Sequence, residues 1–321
     1  GIVMRIARTA DQPAQPVSKK GWALVKKRLW SSRYLYLLFL LPLAYFIIFK
    51  YGAMLWLTIA FKDYNAIQGL WKSEWVGFKH FITFFQTPDI LRLIRNTILL
   101  SVYSLLWSFP MPIILALMIN EVQNKPFKKV VQNISYLPHF FSTVIICGMV
   151  TNLLSTTGLV NQFLSLFQVD PINFLTRPEY FRTIYIASGI WQSVGWGSII
   201  YLAALSGVDP GLYESAVIDG AGKLQQMWYI SIPSILPIIV IQFLLSLGRI
   251  MSVGYEKVLL LYNGSIYETA DVISTYVYRR GLESSEFSYA TAVSLFESVI
   301  NVLLVWIVNK IAQHVGETSL W

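Results

Sequence analysis

The sequence is short of charged residues and nearly free of cysteine. Asp, Glu, Lys and Arg make up 13% of its 321 residues, whereas soluble domains carry roughly 25%. Hydrophobic residues reach 55% and the mean hydropathy is +0.55. These values exclude a soluble domain and a disordered chain, and the single cysteine, Cys147, excludes a disulfide scaffold. The composition therefore predicts an all-α polytopic membrane protein.

The sequence also lacks the motifs of a nucleotide or metal site. No Gly-x-x-x-x-Gly-Lys-Ser/Thr segment occurs, so no Walker A loop is present to hold ATP phosphates. The three histidines are dispersed, without Cys or carboxylates at ligand spacing, and we expect no metal site. Eight of the 25 Lys and Arg fall in residues 1–33, which indicates a segment facing a membrane surface rather than nucleic acid. We expect neither catalysis nor a nucleic-acid partner.

Six stretches are long and apolar enough to cross the hydrocarbon core, which takes about 20 residues. The positive residues near the span ends set the orientation. The basic segment 1–33 is expected in the cytoplasm, and with six spans the C-terminus lies there too. Residues 34–321 then form the transmembrane domain. The predicted spans are 34–61, 97–119, 134–154, 182–206, 235–253 and 289–311.

The polar stretch between spans four and five (207–234) is the most informative segment. From residue 209 to 233 it runs DPGLYESAVIDGAGKLQQMWYISIP. Asp209 can cap a helix whose first turn accommodates Pro210. Gly220 can end that helix because glycine tolerates positive φ, and a second short helix leads into span five. Loops of this length are usually functional.

This segment resembles the EAA motif of permease subunits of bacterial ABC importers. The motif is Glu-Ala-Ala, three residues, a glycine, and a proline about a dozen residues later, and here Ser215 replaces the first alanine. In that family the loop is a coupling helix that docks on a cytoplasmic ATPase. The alternative is an amphipathic helix on the inner leaflet, but such helices favour Lys and Arg, whereas this one carries acids. The resemblance implies ATPase coupling by Glu214, Ser215, Ala216, Asp219, Gly220 and Ala221.

The resemblance covers most of the chain beyond the basic segment and is to carbohydrate permeases of the maltose-permease type. Residues 268–282 (ETADVISTYVYRRGL) and 287–312 (FSYATAVSLFESVINVLLVWIVNKIA) most resemble permeases for uronate-containing oligosaccharides such as alginate. The family implies a type I ABC importer permease fold of six transmembrane helices, multi-pass in the bacterial inner membrane. It also implies a heterodimer with a second permease, two ATPase subunits that bind ATP and Mg, an extracytoplasmic solute-binding protein and an oligosaccharide substrate. The chain itself would hold no cofactor.

Polar side chains inside spans are costly in lipid and point to a translocation pathway. Rings in span four can stack on sugar faces, and its amide and hydroxyl groups can bind sugar hydroxyls. Helical spacing suggests that Trp191 and Tyr201 share roughly one stripe. Helix packing is the alternative for span four, and pairing within the bundle is the alternative for Glu297. The predicted pathway residues are Trp191, Gln192, Trp196, Tyr201, Asn152 and Glu297.

Two other functions stay open at this level. A secondary transporter acting alone needs coupling-ion carboxylates at mid-span or helices broken in matched halves, and only Glu297 resembles such a group. An ABC permease for a non-sugar solute, such as an amino acid or phosphate, shares the coupling loop. Co-purification with an ATPase separates the first alternative from an importer subunit.

Overall fold

The computed structural model describes residues 30–248, 250 and 253–315. The chain divides into two compact units, Gly1–Thr58 and Ile59–Trp321. Most of the predicted basic segment 1–33 lies outside the described residues. The predicted domain boundary at residues 33/34 therefore stays a prediction.

The first unit is helical from Arg33 onward. Its helix α1 spans Arg33–Tyr45, a π-helical turn follows at Phe46–Tyr51, and α2 spans Gly52–Leu55. Neither α1 nor α2 has a buried residue. An apolar sequence with no polar stripe produces such a helix, which suits a lipid environment.

A 3-10 turn at Trp56–Phe61 contains the boundary between the two units, and the second unit continues into a two-residue antiparallel ladder, in which Lys62 pairs with Trp75. The ladder strands are β1 Lys62–Asp63 and β2 Glu74–Trp75. The helices before the inter-span segment are α3 Gly69–Lys72, α4 Lys79–Phe85, α5 Ile90–Ser108, α6 Pro110–Glu121, α7 Lys125–Tyr136, α8 Thr143–Leu154, α9 Leu159–Ser165 and α10 Pro178–Leu205. The helices from that segment onward are α11 Pro210–Ile218, α12 Lys223–Gln226, α13 Ile232–Leu247, α14 Tyr255–Leu261, α15 Tyr267–Ala270, α16 Ile273–Tyr278 and α17 Phe287–Val315.

By length and composition, five helical stretches of the described residues can cross a membrane. Each overlaps a predicted span. The remaining predicted span, 182–206, is also a single helix, α10, with 28 residues. It falls outside this set because glycine, serine, tryptophan and glutamine dilute its aliphatic residues. The five stretches are Arg33–Phe61, Ile90–Glu121, Thr143–Ser165, Lys223–Leu247 and Phe287–Lys310.

The predicted start of span three was wrong. Residues 134–136 belong to α7, and a 3-10 turn at Leu137–Phe140 separates α7 from α8. Pro138 has no N–H to continue the helical ladder. Ser142 then begins a new helix, since its Oγ accepts a hydrogen bond from the Ile145 N–H at 3.3 Å. The stretch that can cross a membrane therefore starts at Thr143.

Helix α10 lies at the centre of the second unit and packs against α5, α6, α7 and α13. Its glycines allow this packing. A Cβ at Gly195 would collide with the Ser135 carbonyl oxygen on α7, and a Cβ at Gly197 would lie 3.0 Å from Pro112 Cγ on α6. Small residues at these positions let the helices touch backbone to backbone, as is common between membrane helices.

The segment after α13 is held by a buried ion pair. Asp271 is 1% exposed, and Arg279 donates to both of its carboxylate oxygens at 2.8 Å. Arg92 on α5 lies 3.7 Å from the same carboxylate, and Thr275 Oγ1 donates to it at 2.9 Å. Burial alone would lower the pKa of Arg279, but the hydrogen bonds and charge interactions with Asp271 and Tyr262 together outweigh it and raise that pKa above its usual value. The network ties α16 to α5.

Candidate functional site

The inter-span segment (residues 207–234) folds as predicted into two helices joined by a glycine turn. Asp209 caps α11, since its Oδ1 accepts from the Gly211 N–H at 2.9 Å. Gly220 has φ of 78°. Its N–H donates to the Val217 carbonyl at 3.1 Å, and the Ala221 N–H donates to the Ala216 carbonyl at 2.8 Å. Together these bonds satisfy the last carbonyls of α11 in the manner of a Schellman turn.

The second half of the segment runs into α13 without a break. The Gly222 N–H donates to Gln225 Oε1 at 2.8 Å and starts α12. Gln226 is buried, and its amide donates to the Ala221 carbonyl at 2.9 Å, which fixes the turn to α12. A π-helical turn at Met227–Ser231 then leads directly into α13. The turn, α12 and α13 therefore form one connected rod.

The surface of α11 exposes apolar and acidic side chains side by side. No residue of α11 is buried. Leu212, Val217 and Ile218 are exposed, and so are Glu214 and Asp219. Exposed apolar side chains grouped on one short helix are typical of an interaction surface. Ser215 is exposed, while Ala216 and Ala221 are half-buried at the turn.

A cavity of about 480 Å³ separates α11 from the end of α6, and its lining includes Tyr213 and Glu214. Two polar contacts brace the segment around it. Lys223 Nζ lies 2.9 Å from Glu121 Oε2, and the Tyr213 and Ser231 hydroxyls are 2.9 Å apart. The ion pair thus ties the inter-span segment to α6, and the hydroxyl contact ties α11 to the turn before α13, while α11 stays accessible.

A second cavity, of about 540 Å³, lies among α5, α10 and α13 and is called the central cavity here. Helix α10 contributes Trp196 and Tyr201 to it. No charged side chain lines it among the described residues. The hydroxyl of Ser101 is buried and has no hydrogen-bond partner in the described part of the chain. Further neutral polar groups on the wall are Ser104, Ser108, Gln242 and Ser246.

The predicted stripe joining Trp191 to Tyr201 was wrong. Tyr201 is 4% exposed on the central cavity, whereas Trp191 is 41% exposed and lines a separate, mainly apolar cavity of about 470 Å³ beside α6 and α7. Trp196 does reach the central cavity, and its ring stacks on His139 with centroids 4.5 Å apart.

The other three predicted pathway residues do not line the central cavity in the described structure. Gln192 donates to the Phe141 carbonyl at 3.2 Å, a group left free where the helix breaks before α8. This contact fits the packing alternative. Asn152 is exposed on α8. Glu297 is 9% exposed, and its Oε1 has no hydrogen-bond partner among the described residues.

Several cavity residues were not predicted from sequence. Ser101, Ser104 and Ser108 recur at i, i+3 and i+7 in the mainly apolar second half of α5, which puts them on one face. Gln242 and Ser246 stand at i and i+4 on α13. Hydroxyls at helical spacing in a membrane span were the available signal. Among the described residues, no group of three or more His, Cys, Asp or Glu could hold a metal ion.

Solved structures and curated relatives resemble the chain over nearly its whole length. A chain of a bacterial alginate ABC transporter, solved in complex with an alginate pentasaccharide-bound periplasmic protein, superposes with a TM-score of 0.84 at 45% identity. That match covers 92% of this chain and 99% of the solved one. The polygalacturonan/rhamnogalacturonan transport system permease protein YteP of Bacillus subtilis is 44% identical over 295 residues, 92% of each chain. The protein LplB of the same organism is 39% identical over 318 residues, 98% of this chain and 99% of LplB.

The family model of the binding-protein-dependent transport system inner membrane component matches residues 94–317. This range contains the whole inter-span segment and every residue that lines the central cavity. Members of this kind are transport subunits rather than catalysts. The chain is a multi-pass helical membrane protein and belongs to the family of binding-protein-dependent transport system inner membrane components.

Proposed function

We propose that the chain is a transmembrane subunit of an ATP-driven ABC importer for an acidic oligosaccharide in the bacterial inner membrane. It crosses the membrane six times, with α10 as the additional span, and both termini lie in the cytoplasm. A second, similar permease completes the pathway as a heterodimer. Two ATPase subunits bind ATP and Mg, and an extracytoplasmic solute-binding protein delivers the sugar.

The exposed helix α11 is the observation that carries this proposal. Its apolar side chains would be covered by the ATPase, and its acids would meet basic or hydroxyl groups across the interface. Small residues such as Ser215 and Ala216 allow the two backbones to approach closely. A lipid surface is a poor partner for this helix, because anionic headgroups repel Glu214 and Asp219.

The class of substrate follows from the relatives and from the central cavity. One relative is described as a permease for polygalacturonan and rhamnogalacturonan, and a solved relative imports the acidic polysaccharide alginate. Both names point to chains of uronate sugars. The central cavity offers rings from Trp196 and Tyr201 together with serine hydroxyls. Such a wall suits a pyranose ring, which is apolar on its faces and polar at its edge.

Coupling would proceed through the inter-span segment. ATP binding closes the ATPase subunits and moves α11, and the turn passes that motion to α12 and α13. Since α13 lines the central cavity, its displacement changes the cavity from inward to outward access. The binding protein then releases its sugar into the pathway, and ATP hydrolysis resets the cycle.

The test is uptake by vesicles that contain this chain, its partner permease and the ATPase subunits. We expect ATP-dependent uptake of labelled uronate oligosaccharides in the presence of the loaded binding protein. Uronate oligomers should compete with that uptake far better than neutral maltodextrins do. Uptake by this chain alone, driven by an ion gradient without ATP, would contradict the proposal.

A further inference from the structure

Lys257 is a buried cation that lies just behind one end of the central cavity and is not part of the cavity's lining. It is 8% exposed on α14. Val253 and Gly254, which immediately precede this helix, line the cavity, and so does Tyr185 of α10. The Lys257 ammonium donates to the Tyr185 carbonyl at 2.9 Å and lies 4.9 Å from the centroid of its ring. The charge therefore sits against the residue that forms the cavity's edge.

Helix α10 is shaped to receive this ammonium. A Cβ at Gly189 would lie 3.2 Å from Lys257 Nζ, so any larger side chain there would push the charge away. At 100° per residue, Gly189 shares a face with Tyr185 and Trp196, both of which line the cavity. Lys257 of α14 thus packs against the face of α10 on which Tyr185 and Trp196 line the cavity.

The part of the chain that the structure describes supplies no counter-charge for Lys257. No carboxylate lies within ion-pair distance of its Nζ in the described residues, and the neighbouring Glu256 is exposed. One carbonyl and one ring face only partly replace the water that the ammonium loses. Burial accordingly lowers the pKa of Lys257 to about 8. A buried charge without a partner is costly, and such groups at cavities are frequently functional.

A second cation lies further along the same face of α10. Arg182 stands one turn before Tyr185, and its guanidinium donates to Asn96 Oδ1 at 3.2 Å. Its Nε is buried without a hydrogen-bond partner among the described residues. This face of α10 therefore has two cations towards its N-terminal end, Arg182 and the packed Lys257, and the neutral ring of Trp196 further along. An anion entering at that end would meet favourable charge before it reached the neutral wall.

We propose that the Lys257 ammonium binds a carboxylate of the transported sugar at the end of the central cavity and so selects uronate over neutral oligosaccharides. This inference rests on the proposed function and names the group that reads the acidic substrate. The neutral wall holds the rings and hydroxyls, and Lys257 supplies the charge that the wall lacks.

The test uses the purified complex of this chain with its partner permease and ATPases. Equilibrium binding is measured for a labelled uronate oligosaccharide and for the same oligosaccharide with its carboxylates reduced to alcohols. The wild type should bind the uronate form about tenfold or more tightly, as expected for a charged hydrogen bond. Lys257→Met should bind both forms alike, while Lys257→Arg should keep the preference. Equal preference in Lys257→Met and the wild type would overturn the inference.

A chemical rescue separates a lost charge from a damaged fold. Cys147 is the only cysteine of the chain, so Lys257→Cys is made together with Cys147→Ala. Treatment with an aminoethyl thiol reagent restores an ammonium at position 257 and should restore uronate preference, whereas a neutral methyl reagent should not. Rescue by neither reagent would overturn the inference. Failure of the wild-type complex to take up any oligosaccharide with ATP would instead contradict the proposed function.

Discussion

Lys223 Nζ lies 2.9 Å from Glu121 Oε2, and this ion pair joins the first residue of α12 to the last residue of α6. The ion pair therefore holds the inter-span segment to α6, in addition to the direct continuation of the segment into α13. Helix α11 is not part of this ion pair. A partner protein can therefore contact α11 while Lys223 remains paired with Glu121.

Breaking this ion pair should impair coupling more than folding. Lys223 is 63% and Glu121 21% exposed, so the pair contributes about 1 kcal/mol to stability, and Glu121→Gln should change the thermal unfolding of the complex only a little. We expect sugar transported per ATP hydrolysed to fall, by up to about fivefold for 1 kcal/mol of lost linkage. Glu286→Gln is the matched control, since it removes the partner of Arg280 at 2.7 Å in a different loop. Equal effects of both variants would refute a coupling role.

Gly220→Val should uncouple ATP hydrolysis from transport without preventing membrane insertion. A residue with a Cβ pays roughly 1–2 kcal/mol in the left-handed region that Gly220 occupies, and a β-branched residue fits there worst. Gly222→Ala is the control, because Gly222 has φ of −71° in the same turn. Gly220→Asn should retain more coupling than Gly220→Val, since asparagine tolerates this conformation. Normal uptake by Gly220→Val in reconstituted vesicles would count against the docking role.

Alanine at Trp196 or Tyr201 should slow uronate transport, whereas Trp191→Ala should have little effect on it. Loss of one aromatic contact of about 0.5–1.5 kcal/mol corresponds to roughly twofold to tenfold in rate. Initial uptake rates at saturating loaded binding protein measure this, with basal ATPase activity as a check on assembly. A larger loss for Trp191→Ala than for Tyr201→Ala would show that the pathway runs along the other face of α10.

Thiol labelling can test which face of α5 lines the central cavity. In a Cys147→Ala chain, a cysteine at Ser104 should react with a water-soluble thiol reagent in at least one nucleotide state, since Ser104 lines the central cavity. A cysteine at Leu106 should resist, because this exposed apolar residue is not part of the cavity wall and would face lipid. The reverse pattern of labelling would mean that the central cavity is dry.

Asp271→Asn should strongly destabilise the segment after α13, which the ion pair of Asp271 with Arg279 holds in place. Removing one partner of a buried ion pair typically costs about 3–5 kcal/mol, and Arg279 would lose the carboxylate that raises its pKa. We expect a lower unfolding temperature and a smaller yield of assembled complex. The exposed pair of Arg280 with Glu286 again serves as a control, since its loss should cost about 1 kcal/mol or less.

The helical character and the inter-span segment could be predicted because they depend on local chemistry. Apolar length sets a span, and Asp209, Pro210 and Gly220 act on their immediate neighbours. The cavity could not be predicted in this way. Trp191 and Tyr201 are chemically alike in the sequence, and only the packing of α6 and α7 around α10 decides which of them meets the central cavity.

The break before α8 shows the same limit in another form. Pro138 marks a possible stop, but hydropathy continues across it, so the sequence favours one span where the chain makes two helices. Lys257 was overlooked because a lysine in a polar loop is usually solvated. Its burial depends on Gly189 and Tyr185, which lie far away in the sequence.

The unbroken passage from α12 through the π-helical turn into α13 has a mechanical consequence. Residues 223–247 form a helical shaft of about 37 Å at 1.5 Å per residue. Gln242 and Ser246 stand near one end of this shaft on the cavity wall, and Lys223 stands at the other. A helix transmits axial thrust with little compression, because its hydrogen bonds run along its length. Two features of the shaft limit this transmission: Pro237 has no N–H for the helical ladder, so α13 can bend there, and the wider turn at Met227–Ser231 can twist.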